Sequence, residues 1–357
     1  ADIAEERGEG LFILEPAADG WKAASEEAAY LEEAMGFYNK NDFFSIFGEN
    51  YLVGYEAGAA PLELWAAQNP LRVISQVYVN SDGLDAVTLA EIGKKEYDGT
   101  NGNYAEIQFP EGFMKLTNND IVVPTWYIQE DDSKIADSLS YWKAANDCEE
   151  QAASDGDVYA QKEDSERWMT DFAGPISKVA VKKGTEDTAS RAVTEEIESF
   201  MNYYTRYENA VAYSNTLMVR LDEKASGIEY KNIEVNGQLR EYSVYVPKNA
   251  EEKFPEGSPV IFVFPGNAQT DRVFMDATAW WEVANDEGII IVTICEQYND
   301  KATAVSHVDT LEFYRLLREQ INKDYKVDAT RFYASGQSAG SLSAQAFGYI
   351  HPEYFAA

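Results

Sequence analysis

Apolar runs at 11–14, 51–53, 73–79, 122–128 and 179–181 recur along the first part of the chain. Between them, 133–146 and 194–207 carry the three-to-four-residue spacing of amphipathic helices. Strands alternating with helices predict an α/β fold with a mostly parallel sheet and flanking helices. From residue 226 the pattern restarts: runs at 228–235 and 240–246 flank Asn236-Gly237, a pair that predicts a tight antiparallel hairpin. Buried strands are expected at 259–264 and 289–294, and a helix at 308–324. The restart predicts two modules, 1–208 and 228–357, joined by a linker at 209–227.

The strand expected around Tyr333 runs directly into Gly336-Gln337-Ser338-Ala339-Gly340. This is the G-x-S-x-G turn, in which a strand-to-helix elbow holds the serine in a strained backbone conformation and exposes its hydroxyl. Side chains at Gly336 or Gly340 would collide with neighbouring elements, so Ser338 is the candidate nucleophile. Upstream, Phe264-Pro265-Gly266-Asn267-Ala268-Gln269-Thr270 follows a buried strand. A turn there supplies a backbone N–H for a developing oxyanion, which makes Asn267 and Ala339 the candidate donors.

The elbow spacing occurs twice. Gly54-Tyr55-Glu56-Ala57-Gly58 repeats it, and Gly54 and Gly336, Gly58 and Gly340, and Pro70 and Pro352 are all separated by the same number of positions. Glu9-Gly10-Leu11-Phe12-Ile13 also matches Glu287-Gly288-Ile289-Ile290-Ile291, in a frame four positions shorter. These matches read as two partial copies of one module, the first without its opening strands and the second without the elements beyond the elbow helix. A chance match of small residues is the alternative. A further arrangement would pair early strands of the second copy with late strands of the first in one shared sheet.

Composition narrows the partners. The 357 residues are 45% apolar and 13% aromatic, enough for sizeable cores, and 62 acidic against 29 basic residues give a net charge of -33. Such a surface repels phosphate backbones and anionic lipid, so neither nucleic acid nor a membrane is an expected partner. It suits an extracellular, secreted bacterial protein, with the cytoplasm the alternative. Residues 288–295 form an apolar run far short of the ~20 residues needed to span a bilayer. Cys148 and Cys295 allow at most one bridge. No Cys/His cluster or phosphate loop is present, so no metal or cofactor is expected. The chain starts at Ala1 without a charged-then-apolar leader, and is expected to be a fragment trimmed at both ends.

The second copy resembles the polyhydroxybutyrate depolymerase-like esterases, which include feruloyl esterases, within the α/β-hydrolase superfamily. The resemblance rests on Pro265-Gly266-Asn267-Ala268-Gln269-Thr270, similar to that family's His-Gly-x-x-Gln-Thr turn, on residues 281–288, and on Asp328-Ala329-Thr330-Arg331-Phe332-Tyr333 before the elbow. It implies an α/β-hydrolase type fold, an acyl-enzyme on Ser338, and substrates that are small esters, polyesters or plant polysaccharide esters. Pro265 stands where the family has histidine. The first copy resembles the later part of the same family: Asp131-Asp132-Ser133 is similar to its acid loop, and Tyr141-Trp142-Lys143-Ala144-Ala145-Asn146-Asp147-Cys148 to its Trp-x-x-x-Asn-x-Cys helix. That implies Asp132 as the acid. Glu56 holds the nucleophile position, and Gly184-Thr185-Glu186-Asp187-Thr188, with Glu186 or Asp187 in the base position, lies where the histidine would be.

A carboxylate cannot relay protons as imidazole does near neutral pH, so the first copy is expected to be inactive. His307, at a helix start, and His351, in a turn, are the two histidines. Neither is expected to complete a triad. The chain reads as part of a serine carboxylic ester hydrolase whose remaining triad members lie beyond Ala357; the alternative is a non-catalytic binding or scaffold protein.

Overall fold

The computed structural model describes residues 1–7, 9–16, 20–39, 50–96, 117–153, 156–167, 174–184, 187–206, 217–221, 226–267, 269–296, 299–301 and 307–357. Thr185, Glu186, Ala268 and most of 209–227 lie outside the described residues. The chain divides into two compact units, Ala1–Arg220 and Leu221–Ala357.

In the first unit, helices α1 (Asp2–Arg7) and α2 (Ala24–Asn39) precede strand β1 (Asn50–Tyr55) and helix α3 (Ala59–Gln68). Then come β2 (Val73–Val79), α4 (Ala86–Gly93), β3 (Thr125–Gln129), α5 (Ala136–Ala145), β4 (Asp157–Ala160), β5 (Lys178–Lys183) and α6 (Arg191–Met201). The sheet order is β1-β2-β3-β5-β4, parallel except for the antiparallel edge strand β4. All seven residues of β2 are buried, as a strand covered on both faces requires. Tyr78 packs into one core with Leu31, Trp65 and Trp142, while Val77 and Val79 pack into the other with Ile197 and Phe200. A separate pair, β6 (Tyr204–Arg206) and β7 (Leu217–Val219), closes the unit.

The expected strand at 11–14 is absent: these residues have no regular structure, and Leu11 and Ile13 are exposed. An apolar run forms a strand only where a partner ladder satisfies its backbone, and 11–14 has none among the described residues.

The second unit opens with the hairpin β8 (Glu229–Val235) and β9 (Gln238–Tyr245), turned through Asn236 and Gly237 at φ 51° and 78°, the left-handed pair that a two-residue hairpin turn needs. It continues through α7 (Ala250–Lys253), β10 (Ser258–Phe264), α8 (Asp271–Ala277), α9 (Trp280–Glu287), β11 (Ile290–Ile294), α10 (His307–Asp324), β12 (Val327–Gly336) and α11 (Ala339–Ile350). Its sheet runs β12-β10-β11-β9-β8, with β10 parallel to both β11 and β12. Beside β12, Ala356 N–H donates to Phe332 O at 2.7 Å and Ala334 N–H to Ala357 O at 3.1 Å. Because the strands fall into separate sheets, the shared-sheet arrangement does not hold. Cys148 and Cys295 are free, buried thiols.

A carboxylic acid lies inside the first core. Glu63 on α3 is fully buried, and its Oε1 accepts from Tyr127 Oη at 2.6 Å and Trp142 Nε1 at 3.0 Å. Burial raises its carboxyl above the usual range, against the opposing effect of these bonds. The folded unit therefore binds this proton more tightly than the unfolded chain. Its contribution is fully present below the unfolded carboxyl pKa and is lost as pH rises through the folded one. We expect Glu63→Gln to gain stability relative to the wild type as pH rises from 4.5 to 8, reaching about 1 kcal/mol or about 3 °C in melting temperature. Parallel melting curves that do not diverge with pH would refute this.

Candidate active site

Parallel α/β sheets bind ligands outside the carboxyl ends of their strands, and both units place their distinctive residues there. In the second unit β12 passes through Gln337 into Ser338, whose φ of 49° and ψ of -118° precede the first residue of α11. A non-glycine residue in that region stores about 1–3 kcal/mol of strain. Packing imposes it: a Cβ on Gly336 would lie 2.3 Å from Gly340 O, and one on Gly340 would lie 2.1 Å from Phe264 O and 2.4 Å from Pro265 O. Gln337 N–H donates to Phe264 O at 3.1 Å, and Ser341 N–H to Ser338 O at 3.0 Å. Ser338 itself is exposed.

The turn after β10 lies against this elbow. Gly266 N–H donates to Gln269 Oε1 at 2.6 Å and Gln269 N–H to Gly266 O at 3.2 Å, so Gln269 closes the turn on itself. A Cβ on Gly266 would stand 3.7 Å from Gln337 O. Asn267 is exposed on this turn. Ala339, first residue of α11, carries one of the N–H groups that a helix leaves without an internal partner, at its positive end. The structure thus brings the Asn267 turn beside the Ser338-Ala339 elbow. Four residues beyond Asn267, Asp271 at the start of α8 is fully buried, its carboxyl pushed up by burial and then by Glu241. Nothing in the sequence marked it out.

His351 follows α11, about 20 Å along the helix axis from Ser338 by helical rise. Its Nδ1 lies 3.2 Å from Glu353 Oε1, and its ring stacks on Tyr354. His307 is the first residue of α10.

In the first unit β1 leads into Glu56, an exposed residue at φ 48°. A Cβ on Gly54 would fall 2.7 Å from Ala59 Cα, so the same close approach of strand to helix operates here. The correspondence continues: short 3-10 turns at Pro70–Arg72 and Pro352–Tyr354 follow the two elbow helices. Asp132 lies just past the end of β3, and its Oδ2 meets Lys183 Nζ, at the end of adjacent β5, at 3.2 Å. Asp187, at φ 56°, accepts the Ser190 N–H at 2.8 Å, and Ser190 caps α6. Lysine, not imidazole, is therefore the partner of Asp132. Lysines at strand ends carry no pattern that would have revealed it.

No family model matches the chain, and no curated protein matches it. Among solved structures, the chain is similar to an S-formylglutathione hydrolase from Agrobacterium tumefaciens, at 19% identity and a TM-score of 0.31, over 36% of this chain and 54% of that one. It is similar to a CE1 ferulic acid esterase from Anaeromyces mucronatus at 15% identity and a TM-score of 0.31, over 36% and 55%. An acetyl xylan esterase from Aspergillus awamori aligns at 13% identity and a TM-score of 0.31, over 36% and 49%. The chain spans about half the length of these structures.

The two elbows make matched predictions. Ser338→Gly and Glu56→Gly should each stabilise the protein by about 1 kcal/mol through relief of backbone strain, measured by urea denaturation. Gly340→Ala should cost about 3 kcal/mol by overpacking. Loss of stability on both glycine substitutions would mean that neither elbow is strained.

Proposed function

We propose that this chain belongs to a tandem protein whose second unit is a serine carboxylic ester hydrolase. The observation that carries the reading is Ser338, exposed on a positive-φ elbow packed against the carbonyls of Phe264 and Pro265, where the Asn267 turn begins. Ser338 attacks the ester carbonyl while the amides of Asn267 and Ala339 take up the oxyanion charge; the ester C–O bond breaks, the alcohol leaves with the serine proton, and water then cleaves the acyl-enzyme to release the acid and restore Ser338. The acid and histidine come from chain outside residues 1–357. Small esters, polyesters and plant polysaccharide esters are the substrate classes that the family resemblance implies.

The first unit is a non-catalytic relative in this reading. Glu56 offers a carboxylate in place of the nucleophile, and Lys183 pairs with the candidate acid Asp132. These two substitutions also favour the second reading, in which the whole protein binds ester-bearing polymers without cleaving them.

Hydrolysis of p-nitrophenyl acetate by the full-length protein separates the two. Ser338→Ala should lower kcat by at least about a thousandfold, Glu56→Ala should leave it unchanged, and residues 1–357 alone should show no turnover. Turnover that survives Ser338→Ala would overturn the assignment, while polymer binding by an inert full-length protein would favour the second reading.

A further inference from the structure

Glu296, two residues beyond the end of β11, joins four elements of the second unit. Its Oε1 accepts from Ser343 Oγ on α11 at 2.9 Å, and its Oε2 accepts from Tyr314 Oη on α10. Its backbone carbonyl accepts from Arg240 Nη2 on β9, whose fully buried guanidinium lies 4.7 Å above the Phe313 ring. Ser343 sits on the helix that Ser338 opens. Tyr314 in turn packs edge-on against Phe264, 5.0 Å between centroids, and against Phe347 of α11 at 4.9 Å. Phe264 is the residue whose carbonyl receives the Gln337 N–H and from which the Asn267 turn departs.

One carboxylate therefore orients a contact to the elbow helix and a contact to the strand of the facing turn. We propose that Glu296 is a positioning residue that holds the Ser338 elbow in register with the Asn267 turn. The proposal rests on the esterase reading for its catalytic meaning but not for its structural content. Two hydroxyls, one from each helix, donate to its carboxyl group, while Arg240 holds its backbone carbonyl. Removing it frees Tyr314 and Ser343 together, and a displacement of about 1 Å at a reacting centre costs on the order of a hundredfold in rate.

Two measurements test this. In residues 1–357, hydrogen exchange should show the amides of Gln337, Gly340 and Ser341 exchanging at least about tenfold faster in Glu296→Ala, with those of the β8–β9 hairpin unchanged. Ser343→Ala, which removes one arm only, should show a smaller effect at the same amides and serves if Glu296→Ala fails to fold. In the full-length protein, Glu296→Ala should lower kcat on p-nitrophenyl acetate about a hundredfold with KM nearly constant. Glu296→Gln, which keeps the shape and one acceptor, should recover most of that loss. Elbow exchange that is unchanged, or raised equally in the hairpin, overturns the proposal. Faster elbow exchange in a protein whose wild type hydrolyses no ester sustains the positioning role and removes the esterase reading instead.

Discussion

The second unit is organised around a near-contact between backbones, the approach of Gly340 to the carbonyls of Phe264 and Pro265. No side chain fits between a helix and a strand end at that distance, so glycine is obligatory, and Ser338, two residues earlier, turns through positive φ to bring the helix there. The exposure of Ser338, the position of Ala339 N–H and the placement of the Asn267 turn all derive from that single approach. The hydrophobic layers on either side of β10 and β11 give it a rigid base.

Each unit ties the helix after its elbow with the same chemistry, a tyrosine hydroxyl donating to a glutamate, but from different positions. In the first unit the glutamate is on the helix itself, where Glu63 receives Tyr127, and it is fully enclosed. In the second the glutamate is at a strand end, where Glu296 receives Tyr314 and reaches the helix through Ser343. The enclosed version carries the desolvation cost of a buried acid. The half-buried version keeps some contact with water and costs less.

Much of this architecture was legible in the chain because the signals were local. Asn236-Gly237 specifies its own turn, and the runs at 259–264 and 289–294 are too apolar to be anything but enclosed. The G-x-S-x-G spacing encodes a steric fact about one turn. The features that escaped detection depend on residues distant in sequence. The acid on α3 looks like any solvated glutamate until Tyr127 and Trp142 close over it, and Lys183 meets Asp132 only once β5 lies beside β3. The run at 11–14 failed for the converse reason, since its composition suits a strand but it has no ladder among the described residues. Short, partly exposed strands such as β4, four residues long, have too little hydrophobic contrast to register.

Glu56 holds nearly the same φ as Ser338 although its side chain has no use for the geometry. Gly54 pressing on Ala59 dictates the conformation from below, so backbone and side chain are decoupled at this tip. A residue there is held by its neighbours yet points freely into solvent. That combination is what a site-specific label requires, and a reporter attached at position 56 would inherit a fixed anchor and report on whatever approaches the carboxyl ends of the first sheet.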